Sequence, residues 1–242
     1  MKKITYDIEW TIERFHWWFI GRRKLLEFLI RSSGIEQGSS VVDVGCGVGS
    51  NLAFLKSMGF EVIGVDFKSY GLSFAKKSSS EVSLVNGDLI NLPLKSSSVG
   101  LFVATDILEH LDEDTLGIKE IYRTLKPNGK AIFTVPAFNF LWGVQDVVGM
   151  HKRRYSRRRL IAAIEQEGFK VLRSSYFNFF LFFPIFLTRR IIDILGLRID
   201  SENKINFSLI NFYFKVIFSL EPYILKYFSF PFGVSVFCIA RK

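Results

Sequence analysis

The alternation of short apolar runs with helical stretches between residues 41 and 135 constrains this chain more than any other feature. Residues 41–44, 61–65, 82–85, 99–104 and 130–135 are nearly continuously apolar, as strands covered on both faces must be. Turn residues punctuate the runs: Gly59, Gly87, Pro93, and Lys126-Pro127-Asn128-Gly129 before the fifth. Strands alternating with helices imply a parallel sheet joined by right-handed crossovers. Downstream, residues 159–167 read as a helix closed by Gly168, residues 169–174 as a sixth strand, and residues 234–240 as a last one. Upstream, residues 8–31 read as one amphipathic helix or two, ending at Ser32-Ser33-Gly34. The expectation is an α/β fold: a mostly parallel seven-stranded sheet, helices on both faces, and a helical insert between strands 6 and 7.

Strand 1 runs into Asp43-Val44-Gly45-Cys46-Gly47-Val48-Gly49-Ser50 and then a helical stretch. Glycines let a backbone turn tightly beside a ligand at a helix N-terminus. Asp66 ends strand 2, where a carboxylate can bind ribose hydroxyls. Asp88, in Asn86-Gly87-Asp88-Leu89, ends strand 3 and could accept from an adenine amino group. A dinucleotide site is the competing reading, but its G-x-G-x-x-G spacing would need glycine at position 50, which is Ser.

These segments together resemble the class I S-adenosylmethionine (SAM)-dependent methyltransferases, a family with a Rossmann-like core. DVGCGVG looks like their first motif, Val65-Asp66 their acidic strand end, and Gly87-Asp88 their adenine-side motif. ATDILEHL and EIYRTLKPNGKAIFTVP are similar to their strand-4 and strand-5 region, so the likeness runs in order through residues 35–175. It implies SAM as cofactor, with Gly45, Gly47 and Gly49 around the methionine part, Asp66 on the ribose, and Asp88 with Leu89 on the adenine. Asp43, Phe67 and Thr105 complete the expected cofactor-binding set. The implied chemistry is in-line methyl transfer, in which the enzyme supplies alignment and, for a hydroxyl acceptor, a base.

Segments outside the core are expected to bind the acceptor. HWWFIGRR near the N-terminus offers Trp17, Trp18, Arg22 and Arg23, and HKRRYS offers Arg153, Arg154 and Tyr155. The two motifs are similar to those of a methyltransferase subgroup associated with polysaccharide biosynthesis. Lys152 to Arg159 holds six cations in eight positions, a candidate for phosphate or anionic lipid. His110 and His151 are the candidate bases, unranked. The segment Asp106-Ile107-Leu108-Glu109-His110 is similar to the E-x-x-E-H pattern of quinone-pathway O-methyltransferases, where those groups meet a metal. Asp stands where the first Glu would be, and no metal is assigned.

Of the 26 phenylalanines, 14 follow Tyr176. Residues 207–220 are apolar except at Ser208, Asn211, Lys215 and Ser219, a single helical stripe. Such a helix is ~21 Å long, too short for a bilayer core of about 30 Å. Residues 177–187 are shorter still and contain Asn178 and Pro184. Both segments therefore suit interfacial insertion. A net charge of +9 favours an acidic partner, and an anionic membrane surface suits the phenylalanines better than nucleic acid does. The segments are then a helical cap (1–34), a SAM-binding core (35–175), a membrane-associated insert (176–232) and a final strand (233–242).

Two cysteines give no disulfide framework. Asp7, Glu9 and Glu13 stand where a signal peptide needs an apolar run. The expected location is the cytoplasm, peripheral on the inner face of the membrane. The function expected is SAM-dependent O-methylation of a lipid-linked or phosphorylated saccharide or related lipid. A non-catalytic membrane adaptor on the same fold and an NAD(P)-dependent oxidoreductase are the alternatives. Oligomeric state is left open.

Overall fold

The computed structural model describes residues 3–196 and 207–242. The middle of the expected insert, residues 197–206, lies outside that range. The chain opens with helices α1 (Lys3–Ile12) and α2 (Trp17–Ser33). Gly34 ends α2 in the left-handed conformation at φ 64°, where a side chain is disfavoured. The core then alternates β1 (Ser40–Val44), α3 (Leu52–Ser57), β2 (Glu61–Asp66), α4 (Ser69–Ser78), β3 (Ser83–Asn86) and β4 (Val99–Thr105). After it come α5 (Asp114–Thr124), β5 (Leu125–Pro136), α6 (Val144–Gly149), α7 (Arg157–Gln166) and β6 (Lys170–Phe177). Helices α8 (Phe182–Leu195) and α9 (Ser208–Leu225) precede the last strand, β7 (Ser235–Arg241).

The seven strands form one sheet in the order β3-β2-β1-β4-β5-β7-β6. The first five are parallel, and β7 runs antiparallel between β5 and β6. The strand order reverses beside β1, where β4 lies on one side and β2 on the other. The crevice at the carboxyl ends of β1 and β4 is therefore the expected ligand position. Every residue of β4 is buried, the physical reason its sequence shows no alternation. β5 begins five residues before the apolar run, because Leu125 pairs with Val99 across a register shift.

Helix α9 packs on α2 rather than standing apart. A Cβ on Gly21 would lie 2.3 Å from the Phe218 ring, so α2 admits the ring only because that position has no side chain. Phe218 is fully buried, and Trp17, Trp18 and Phe177 surround it with ring centroids 5.6–6.0 Å away. Asn211 ties the helices further: its Oδ1 accepts from the Trp17 amide at 2.7 Å and its Nδ2 donates to the Phe15 carbonyl. Two residues of the polar stripe of α9 turn inward, Asn211 half-buried and Ser219 buried, while Ser208 is exposed and Lys215 lies over the Phe212 ring. Leu209, Phe212, Tyr213, Leu220 and Tyr223 face outward.

Pro184 sits in the first turn of α8, where a missing N–H is tolerated. Asn178, at φ 57°, turns the chain out of β6. The buried Glu221 carboxylate of α9 accepts from the Asn178 and Phe180 amides there. Among the described residues no helix is long and apolar enough to cross a membrane.

Candidate active site

A cavity of about 880 Å³ occupies the crevice at the carboxyl ends of β1, β2 and β4. One end is formed by the loop after β1. Gly45, Gly47 and Gly49 all have positive φ, of 73°, 53° and 88°. Gly45 and Gly47 line the cavity. Gly49 is a packing position instead, because a Cβ there would meet Ala75 of α4 at 3.0 Å.

Asp66 is the anchor of this end. Its Oδ2 accepts from the Gly47 amide at 2.8 Å and its Oδ1 from the Lys68 amide at 2.7 Å. Burial pushes its carboxyl up, and those two amides partly offset the rise. A carboxylate fixed by its own loop and facing a cleft fits the two hydroxyls of a ribose. Asp88, Leu89 and the exposed ring of Phe67 continue the wall, which fits an adenine beyond that ribose. Thr105 lines the floor and accepts from Asn51 at 3.4 Å. Asp43 does not reach the cavity: it is buried behind the loop, and burial pushes its carboxyl up to about 7 against the nearby Arg22.

The N-terminal segment covers the opposite side. Trp17, Trp18 and Arg22 line the cavity. Arg22 spans to Asp106 at 2.8 Å, and Asp106 also accepts from Thr134. The sequence suggests Arg22 as an acceptor-binding residue and assigns Asp106 no role; the fold pairs the two with each other. Arg23 is a correction as well: it donates to the Glu13 carbonyl and the Ser50 carbonyl and does not line the cavity. Sequence reading also missed three groups. Glu9, which burial pushes up to about 7, lines the cavity. Tyr6 lies over Gly47 and Gly71. His16, which burial brings down to about 4, caps α2 by accepting from the Trp18 amide.

The far end of the cavity holds the two candidate bases together. Their rings meet edge to face at 4.8 Å between centroids. Burial lowers His110 to about 3, with His151 adding to the effect. His151 Nδ1 lies 2.8 Å from Asp146 Oδ1, and its Nε2 is 3.9 Å from Glu109. That carboxylate contact fixes the ring and makes His151 the better placed base. Asp146 is fully buried and held by Arg154 at 2.8 and 3.0 Å and by the Gly143 amide at 2.8 Å. Burial acts to raise the Asp146 carboxyl, but His151 and Arg154 outweigh it and hold it well below the usual range.

The basic run is corrected by these contacts. Lys152 pairs with Asp112, Arg153 with Asp114 at 3.1 Å, and Arg154 with Asp146. Arg157 donates to Ser174, and Arg159 lies over the Tyr155 ring. Tyr155 is fully buried and donates to Asp114 at 2.6 Å, so it belongs to the core and not to an acceptor site. Arg153 likewise stays off the cavity wall, donating to the Leu111 carbonyl. Much of the run clamps the loop after β5 in place, and only Arg154 of the expected trio reaches the cavity.

Between those ends the cavity continues past Ile185 and Thr188 of α8 and Ile210 and Phe214 of α9. One cavity is therefore lined by the glycine loop, by the two histidines and by the helices whose outer faces are apolar.

Comparison with known proteins finds methyltransferases among the similar chains. Residues 42–133 match the family model described as a methyltransferase domain. A Mycolicibacterium smegmatis protein named as a probable S-adenosylmethionine-dependent methyltransferase is 27% identical over 136 residues, covering 55% of this chain and 53% of that protein. A Staphylococcus aureus demethylmenaquinone methyltransferase is 27% identical over 165 residues, covering 62% and 66%. The matches thus span about half and just under two-thirds of those relatives' lengths. A chain from the complex of the Haloferax volcanii methyltransferase activator Trm112 with a methyltransferase has a TM-score of 0.63 at 18% identity, covering 98% of this chain and 96% of that one.

Proposed function

We propose that this chain, which has the class I methyltransferase fold and a methyltransferase domain at residues 42–133, methylates a hydroxyl on a lipid acceptor at the membrane surface. SAM would supply an activated methyl group, its sulfonium keeping the C–S electron pair when the acceptor oxygen takes the methyl. Gly45, Gly47, Asp66, Asp88 and Leu89 would hold it. Trp17 and Trp18 wall the cleft opposite and help to exclude water. His151, oriented by Asp146, is placed to take the proton of the acceptor hydroxyl.

The observation that carries the lipid reading is the lining of the cavity. The histidines share it with Ile185 and Thr188 of α8 and Ile210 and Phe214 of α9, helices whose outer faces expose Phe183, Leu187, Ile194, Leu209, Phe212 and Tyr223. An apolar tail can lie between these helices while its head group reaches His151. Contiguous exposed apolar area on this scale marks an interaction surface. The demethylmenaquinone methyltransferase relative, named for a lipid-like acceptor, supports the same class. Phosphate recognition loses support, because Lys152, Arg153 and Arg154 are engaged by acids. A place in polysaccharide synthesis is retained only as one source of such a lipid.

The test is incorporation of radiolabelled methyl from SAM when the protein is added to membranes. Label in the organic phase supports the proposal, and label confined to the aqueous phase overturns it. The cofactor half is tested separately. Asp66→Ala is expected to weaken SAM binding by about 1–3 kcal/mol through lost charge-assisted hydrogen bonds. Calorimetry showing unchanged affinity would remove Asp66 from the cofactor site, and a melting curve separates cofactor loss from collapse of the loop.

A further inference from the structure

We propose that Glu109, His110 and His151 form a binding site for one divalent transition-metal ion beside the cofactor cleft. The three residues come from two places, the turn after β4 and the loop between α6 and α7, and all line the cavity. Each offers one ligand atom, and these atoms lie within 4.8 Å of one another.

The first argument is the state of Glu109. Its side chain is fully buried, and neither carboxylate oxygen has a hydrogen-bond partner. Burying such a group unpaired is costly, and proteins resolve it by a proton, a counter-charge or a metal. The Arg154 charge also acts on Glu109 while its guanidinium holds Asp146, and the His151 ring faces the carboxylate at 3.9 Å.

The second argument is the shell behind the ligands. A metal-bound imidazole usually gives its other nitrogen to a carboxylate or a carbonyl, which fixes tautomer and ring plane. His151 has that arrangement already: Nδ1 meets Asp146 at 2.8 Å and Nε2 faces Glu109. The backbone of Gly149 and Met150 lies beside the His110 ring and favours its protonated form. Asp146 is in turn immobilised by Arg154 and the Gly143 amide.

The donor set selects the ion. Two imidazoles and one carboxylate suit Zn²⁺, Mn²⁺ or Fe²⁺, whereas Mg²⁺ and Ca²⁺ prefer oxygen alone. Bonds of about 2.0–2.2 Å require the three donors to draw together by roughly 1 Å, which two half-buried rings can do. The set differs from an E-x-x-E-H arrangement, because Asp106 is taken by Arg22 and the third ligand arrives from the loop after β5.

Three protein ligands leave a position open to the cavity. This role rests on the O-methylation reading. The acceptor hydroxyl occupies the open position, the ion lowers its pKa, and its proton leaves to water. The alkoxide oxygen then forms the new O–C bond while the C–S electron pair stays on sulfur. His151 becomes a ligand and no longer the base.

The experiment uses the full chain, stripped with a chelator and then titrated with Co²⁺ and Zn²⁺. Cobalt is followed by its visible absorption and zinc by calorimetry. One ion per chain is expected, with uptake weakened at least 100-fold in Glu109→Gln and in His151→Ala. SAM affinity and melting curves certify that each variant is folded. Should Glu109→Gln fail to fold, the half-buried His151 decides alone. No saturable uptake, or uptake unchanged in the folded variants, overturns the site. Methyl transfer to a hydroxyl that survives the chelator, with no ion bound, leaves the O-methylation reading and removes the metal. One bound ion in a protein that methylates no hydroxyl does the reverse.

Discussion

Asp146→Ala is expected to lower the unfolding free energy by about 3–5 kcal/mol and to abolish turnover with it. The magnitude is that of removing one partner from a buried ion pair, which leaves the other charge without compensation. Asp146 is fully buried and opposes two buried guanidinium groups, Arg154 at 2.8 Å and Arg189 at 4.0 Å. Its second task is local: the Gly143 amide and His151 both depend on it, so the loop carrying His151 loses its pin. Chemical denaturation measures the first effect, and an unchanged midpoint would show that the pair contributes nothing to the loop.

The sign of the pH dependence follows from the same contacts. The folded carboxyl is held below its ordinary range, so its contribution is complete above about pH 4 and is lost as the pH falls. Asp146→Ala should lack that acid limb. Asp146→Asn keeps the shape and removes the charge. If it is as unstable as alanine, charge and not packing carries the effect.

The sheet was legible because buried parallel strands write themselves as apolar runs: β1, β2 and β4 lie within a residue of where those runs fall. The glycine-loop end of the cavity was legible for a related reason. Asp66 and Gly47 act through backbone geometry at a strand end, and their partners lie 19 residues apart or fewer. The opposite wall was not, because its contacts join distant segments. No local pattern announces that Arg22 will meet Asp106 or that Asn211 will hold the Trp17 amide. The basic run misled for the same reason. Cations in sequence are visible, while Asp112, Asp114 and Asp146, which engage them, are brought in by the fold.

Helix α9 is the most instructive case. Its polar stripe was legible, but not that Asn211 and Ser219 turn toward the protein while Leu209, Phe212 and Leu220 stay exposed. The aromatic residues of the helix therefore divide. Phe218 is fully buried against Trp17 and Trp18, while Phe212 is more than half exposed. A period of 3.6 identifies a stripe but does not say which side the rest of the fold will cover.

That division determines which substitutions test membrane binding, and the largest loss is expected from Ile194→Asp combined with Leu209→Asp. These side chains are 81% and 73% exposed, one on each helix of the outer apolar face, so replacing them removes no packed contact. If the face lies in the acyl boundary, each new carboxylate costs several kcal/mol there or must take up a proton. The double variant should then stay in the soluble fraction when wild type floats with anionic vesicles, with its melting temperature and SAM affinity preserved. Raising the salt alone should release only part of the wild type. Lys215 and Lys226 on this face add a screened attraction, while the apolar contribution is not screened. Phe218→Asp separates surface from core, because a carboxylate buried beside Gly21 should unfold the α2–α9 contact instead of merely detaching the protein. If the apolar face instead joins two copies of the chain, wild type will ignore vesicles and the double variant will halve its mass in solution. Wild type that fails to float on any anionic vesicle ends the membrane proposal.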